Sequence, residues 1–160
     1  MLTQKEFNEK FIYNLSEIFR IRGINRRQLA SEIDIPTITM RSYGQRRRMP
    51  STYRAYKIAT RLGMTVDDII NGDLDEEEAT LKNVFLPSQE AFSASLQKNL
   101  NQLLEDHKLT KKDVADKTGL AKGTITNIFN GKRAPELAML YIIANALEIK
   151  VSSLLKPAKY

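Results

Sequence analysis

The feature that most constrains what this chain can fold into is that it aligns with itself. At a constant offset of 85 and without a gap, residues 3–70 pair with 88–155, and 13 positions are identical. The identities include Phe7/Phe92, Asn14/Asn99, Leu15/Leu100, Ala30/Ala115, Thr39/Thr124, Arg48/Arg133, Pro50/Pro135, Ile58/Ile143 and Leu62/Leu147. Most of the apolar matches fall where a helical period places the core, and further apolar pairs such as Phe19/Leu104, Leu29/Val114 and Ile35/Leu120 fill the spaces between. A repeat of this length means one structural unit written twice. It predicts a unit at 1–72, a linker at 73–87 and a second unit at 88–160.

Each unit reads as five helices, which makes the expected class all-α. Thr3 followed by Glu6 forms a capping box, in which hydroxyl and carboxylate each accept an orphan backbone N–H. Phe7, Phe11, Leu15, Ile18 and Phe19 then make one apolar stripe, and Gly23 supplies a stop. Asn25 opens a short helix that the turn Asp34-Ile35-Pro36 closes. A third helix runs roughly from Thr37 to Gly44, a fourth from about Ser51 to Leu62, and a fifth is capped by Thr65 and Asp68. Met40, Tyr43, Ile125 and Ile128 belong to the core, and Tyr13 and Tyr53 are expected to be half-buried.

Charge separates the segments further. Residues 1–72 hold 13 Lys and Arg against 7 Asp and Glu, residues 73–82 hold 1 against 5, and residues 83–160 hold 11 against 7. Two basic blocks flanking an acidic run suggest two polyanion-facing modules joined by a segment that avoids phosphate. The same excess of cations also serves a solvated surface, so charge alone does not decide. The short run Val84-Phe-Leu-Pro87 is expected to pack against a neighbouring domain.

Several chemistries lose their basis. With no Cys and a single His, His107, there is no thiolate site and no ligand set, so no metal or cofactor is expected. A phosphate-cradling glycine loop and a nucleophile with an orienting base are both missing, which argues against an enzyme. No apolar run approaches the roughly 18 residues of a membrane span, and the N-terminus lacks a signal-peptide core, so a cytoplasmic protein away from membranes is expected.

Two short helices joined by a tight turn, with a small residue at their contact, make a helix-turn-helix. In the second unit these are Lys111–Thr118, the turn Gly119-Leu120 and the helix from about Ala121, with Ala115 at the contact. Thr110 and Asp113 cap the leading helix, beside whose N-terminus stands Lys111, or Arg26 in the first unit; such an end suits phosphate. The run LTKKDVADKTGLAKGTITNIFNGKRAP followed by IIANALEIKVSSLL resembles the helix-turn-helix family of phage repressors and Cro, the XRE-like regulators. The first unit departs from this pattern, with Asp34 in place of Gly119, Gln45-Arg46 in place of Asn130-Gly131, and its own glycine displaced to Gly44.

The resemblance implies two repressor-like five-helix helix-turn-helix domains in tandem, each laying its third helix in the major groove of double-stranded DNA. The outward positions it assigns to base reading are Thr37, Ile38, Arg41 and Ser42 in the first unit and Lys122, Gly123, Thr126 and Asn127 in the second. Arg41 suits guanine, Asn127 adenine and Ile38 a thymine methyl, whereas Gly123 has no side chain with which to specify. Arg26, Arg46, Arg47, Arg48, Lys111, Lys132 and Arg133 are the expected phosphate contacts. A transcriptional regulator, most simply a repressor reading two non-identical half-sites, is the functional expectation. The linker would span about 50 Å when extended and about 20 Å as a flexible coil, against about 34–36 Å between adjacent half-sites. A homodimer on a longer site stays open. The competing reading is a protein-binding inhibitor or anti-repressor of phage type that keeps the fold and uses one domain, or neither, on DNA.

Overall fold

In a computed structural model, residues 1–73 and 84–157 are described, and the chain divides into two compact units, Met1–Leu86 and Pro87–Tyr160. All regular structure among the described residues is helical. The first unit contains α1 (Gln4–Ile21), α2 (Arg26–Glu32), α3 (Thr37–Gly44), α4 (Thr52–Arg61) and α5 (Val66–Asn71). The second contains α6 (Gln89–His107), α7 (Lys111–Thr118), α8 (Lys122–Phe129), α9 (Leu137–Ala146) and α10 (Val151–Leu155).

In the first unit, α1 begins at the expected capping box: the Glu6 N–H donates to Thr3 Oγ1 at 3.1 Å, and the Thr3 N–H donates to Glu6 Oε1 at 3.3 Å. Its stripe of Phe7, Phe11, Leu15, Ile18 and Phe19 is buried. Each such side chain contributes roughly 1.5–3 kcal/mol relative to an exposed one. Met40 and Tyr43 of α3 and Ile69 of α5 complete the core that α1 covers. Leu29 and Ala30 of α2 are buried where α2 meets α3. Val84 and Leu86, half-buried, line a pocket with Gln28, Glu32, Ile33 and Arg61, so the apolar run lies beside the helices of the first unit, in keeping with the expectation that it meets a neighbouring domain; Phe85 between them is exposed. The rest of the acidic linker, 74–83, lies outside the described residues.

The second unit is built in the same order. Phe92, Leu96, Leu100 and Leu103 form the buried stripe of α6, which packs on α8 and α10. Ile125, Ile128 and Phe129 of α8 are buried, as are Val114 and Ala115 of α7. His107 ends α6 in an exposed position.

Two details give physical meaning to paired positions. Asn14 Nδ2 donates to the carbonyl oxygens of Ile69 at 2.8 Å and Ile70 at 3.4 Å. Asn99 Nδ2 donates likewise to Leu154 at 2.9 Å and Lys156 at 2.7 Å. Both amides satisfy orphan carbonyls at the end of the last helix of their unit. Four left-handed backbone positions also pair at the 85-residue offset, Gly23 with Lys108, Asp34 with Gly119, Arg46 with Gly131, and Gly63 with Glu148, whereas left-handed Gly72 faces Pro157. In every pair one unit uses glycine and the other does not.

The third helix spans Thr37–Gly44 as expected, but the pairing corrects the reading of its glycine. The glycine stop is not displaced to Gly44, which is the last residue of the helix. The left-handed residue is Arg46, with φ of 60°, at the position where the second unit has Gly131 with φ of 75°. The closing hydrogen bonds match as well: Arg47 N–H to Ser42 O at 2.9 Å, and Lys132 N–H to Asn127 O at 2.9 Å. A Cβ at Gly44 would lie 2.5 Å from the Arg26 guanidinium carbon, so a side chain there would require the end of that arginine to shift.

Candidate nucleic-acid interface

The leading helix, turn and following helix are set by local chemistry in both units. In the second, Thr110 and Asp113 form a reciprocal capping box, with the Thr110 N–H donating to Asp113 Oδ2 at 2.8 Å. The backbone hydrogen bond from Thr110, followed by that from its hydroxyl, holds the Asp113 carboxyl below the usual range. Gly119, with φ of 74°, ends α7, and Ala115 keeps α7 and α8 close. In the first unit Asn25 Oδ1 accepts the Gln28 N–H at 3.0 Å, and the turn passes through Asp34 at φ of 55°.

A residue the sequence did not single out supports that first turn. Lys57 is buried, and its Nζ donates to Ile33 O at 2.6 Å and to Asp34 O at 3.3 Å while lying 4.7 Å from the centre of the Tyr53 ring. Burial pushes its pKa below the ordinary lysine value; the Asp34 charge opposes that shift and Arg54 adds to it. Ile142 stands at the paired position in the second unit. A lysine within an apolar helical period carries no sign in the sequence that it turns inward to cap a neighbouring helix.

The residues assigned to base reading fall on one side of each third helix. Ile38 and Arg41 are exposed, and Thr37 and Ser42 are half-buried, with the Ser42 hydroxyl donating back to Thr39 O at 2.6 Å. Their spacing, i and i+3 or i+4, puts Ile38, Arg41 and Ser42 on a common face. On α8, Lys122, Gly123 and Asn127 are exposed and Thr126 is half-buried. Neither helix N-terminus is capped by a side chain, since Pro36 and Ala121 occupy the cap positions.

The assigned phosphate contacts divide into free and engaged cations. Arg47, Arg48, Lys132 and Arg133 are exposed at the ends of α3 and α8, with no side-chain hydrogen bond or ion pair to the described residues. Arg46 instead turns back to α1: its Nε donates to Ser16 Oγ at 2.8 Å, its Nη2 to Glu17 Oε1 at 3.2 Å, and its guanidinium lies 4.3 Å from the Tyr13 ring centre. Arg26 is half-buried over the Phe19 ring, with its Nε buried and unpartnered. Lys111 Nζ donates to Asn130 Oδ1 at 2.6 Å, tying the start of α7 to the end of α8.

The described residues contain no group of three or more His, Asp or Glu placed to hold a metal ion, and no helix among them is long and apolar enough to cross a membrane. Neither the curated proteins nor the solved structures include a match to this chain. A family model described as helix-turn-helix matches residues 100–154, from within α6 to within α10. That family is one of DNA-binding regulators. The match lies within the second unit, whose residues 100–154 are similar to the helix-turn-helix family.

Proposed function

We propose that the protein is a sequence-specific transcriptional regulator, acting as a repressor, which reads two non-identical half-sites of double-stranded DNA with a helix-turn-helix domain in each unit. The matched second unit supports DNA binding. The extension to the first unit rests on shared backbone construction: the same helix order, the four paired left-handed positions, and the paired amides Asn14 and Asn99. The non-identity of the half-sites rests on one observation. Matching positions of α3 and α8 present Ile38 and Arg41 in one unit and Gly123 and Thr126 in the other.

Arg41 would fork onto guanine and Asn127 onto adenine, with Arg47, Arg48, Lys132 and Arg133 adding affinity that is indifferent to sequence. Joining two readers in one chain raises the effective concentration for the second contact. Repression would follow from occupying a site that polymerase needs, on the chromosome within the cytoplasm.

The test is selection of duplexes from a random pool by the full chain, followed by footprinting of the enriched sequence. A two-part site is expected, with affinity falling steeply as salt rises because bound cations release counterions from DNA. Arg41→Ala should relax the sequence required in one part and Asn127→Ala in the other. If no duplex is enriched at moderate salt, the regulator reading fails and a protein-binding inhibitor takes its place.

A further inference from the structure

Position 38 and its counterpart 123 are the point at which the two reading faces differ most in kind. Ile38 is 80% exposed, in the first turn of α3, and Gly123 offers no side chain at the same place in α8. A single exposed isoleucine is ordinary on a protein surface. Its surroundings are not: Arg41 lies one turn along on the same face, and Arg47 and Arg48 stand free beyond the helix end. An apolar side chain set among cations needs an occupant that is itself a polyanion carrying an apolar point. In the major groove of DNA the thymine 5-methyl is that point.

Resting on the two-reader proposal above, we infer that Ile38 makes one base pair of the first unit's half-site dependent on a pyrimidine 5-methyl group, and that the second unit's half-site has no such dependence at the equivalent pair. The other large apolar side chains exposed among the described residues are placed differently. Met1 is the first residue, Phe85 lies outside the helices, and Tyr13 has the Arg46 guanidinium over its ring. Gly123 is also open to change, because a Cβ built there meets nothing within 4 Å.

The experiment uses the full chain and the duplex it selects, resynthesised with each thymine in turn replaced by deoxyuridine, which removes the methyl and leaves the hydrogen-bonding edge intact. Affinity should fall about three- to tenfold at one thymine in the part of the site that Arg41→Ala relaxes, the scale of burying one methyl. Ile38→Ala should bind thymine and deoxyuridine duplexes equally, and Ile38→Val should keep most of the difference. Gly123→Ile should acquire a methyl dependence in the other part. A wild-type chain indifferent to every thymine replacement overturns the inference while leaving DNA reading intact, as does a dependence that survives in Ile38→Ala. If no duplex is selected at all, the regulator proposal and this inference fall together.

Discussion

The turn between α2 and α3 and the turn between α7 and α8 reach one backbone conformation by opposite chemistry. In the second unit Gly119 enters the left-handed region at no steric cost, and the neighbouring helix contributes an isoleucine, Ile142. In the first unit Asp34 occupies the same region, where a side chain costs about 1–2 kcal/mol, somewhat less for Asp. Lys57 then reaches across to Ile33 O and Asp34 O. The two units therefore bend at matching positions while differing in which residue makes the bend tolerable. The same exchange recurs at Gly23/Lys108, Arg46/Gly131 and Gly63/Glu148, twice in each direction overall.

Lys57→Ile tests this exchange most severely. Removing the ammonium leaves the carbonyls of Ile33 and Asp34 without their charged donor, and a hydrogen bond to a charged group contributes about 1.5–3 kcal/mol. A loss of that size in urea unfolding is expected for Lys57→Ile alone, and a smaller one when Asp34→Gly is added to reproduce the second unit's pair. Additive effects would show that the two positions do not work together. The pH dependence has a definite sign. Because burial lowers the Lys57 pKa in the folded state, the unfolded chain binds more protons between that value and the ordinary one, about 10.4. Wild-type stability should therefore gain from this group as pH rises through that interval, a contribution that Lys57→Ile lacks.

Asn14 and Asn99 sharpen the comparison at a pair that did not diverge. Asn14 is buried and serves two carbonyls of α5 and its end, whereas Asn99 is half-buried and one of its acceptors, Lys156 O, lies at an exposed residue. Asn14→Leu should cost about 1–2 kcal/mol by stranding buried carbonyls. Asn99→Leu should cost less, because water can replace part of what is lost. Equal costs, measured by urea unfolding followed at residues of α5 and α10, would mean that solvent access does not set the difference.

These residues also show what was legible in the sequence. The helices were, because stripes such as Phe7-Phe11-Leu15 and caps such as Thr3-Glu6 depend on neighbours a few residues apart. The outward faces of α3 and α8 were legible as faces: Ile38, Arg41, Gly123 and Asn127 are exposed as their helical phase requires. The side-chain tethers were not. Arg46 sits in a run of three arginines that differ in nothing local, yet it is bound to Ser16 and Glu17, residues remote in sequence, while Arg47 and Arg48 are free among the described residues. Gly44 was misread for the same reason, since the left-handed stop lies at Arg46 and what a side chain at 44 would meet is the guanidinium of Arg26, remote in sequence.

The smallest expected effect concerns the caps of the leading helices. At the paired positions the first unit uses only the Asn25 side chain, which does not titrate and accepts the Gln28 backbone N–H, and the second uses Thr110 and the carboxylate of Asp113. The folded pKa of Asp113 is lowered, so the carboxylate's contribution is present above its unfolded value, about 3.9, and is lost as pH falls through the lower folded one. Mild acid should therefore loosen the first turn of α7 before that of α2. Amide exchange at Thr110, whose N–H the Asp113 carboxylate accepts, and at Gln28, whose N–H Asn25 Oδ1 accepts, compared between pH 6 and pH 3 and each corrected for its intrinsic rate, measures this directly. Asp113→Asn should remove the difference in acid response without touching the Thr110 hydroxyl bond. If α2 and α7 loosen in parallel, the carboxylate is not what distinguishes the two caps, and the units differ at this point in sequence alone.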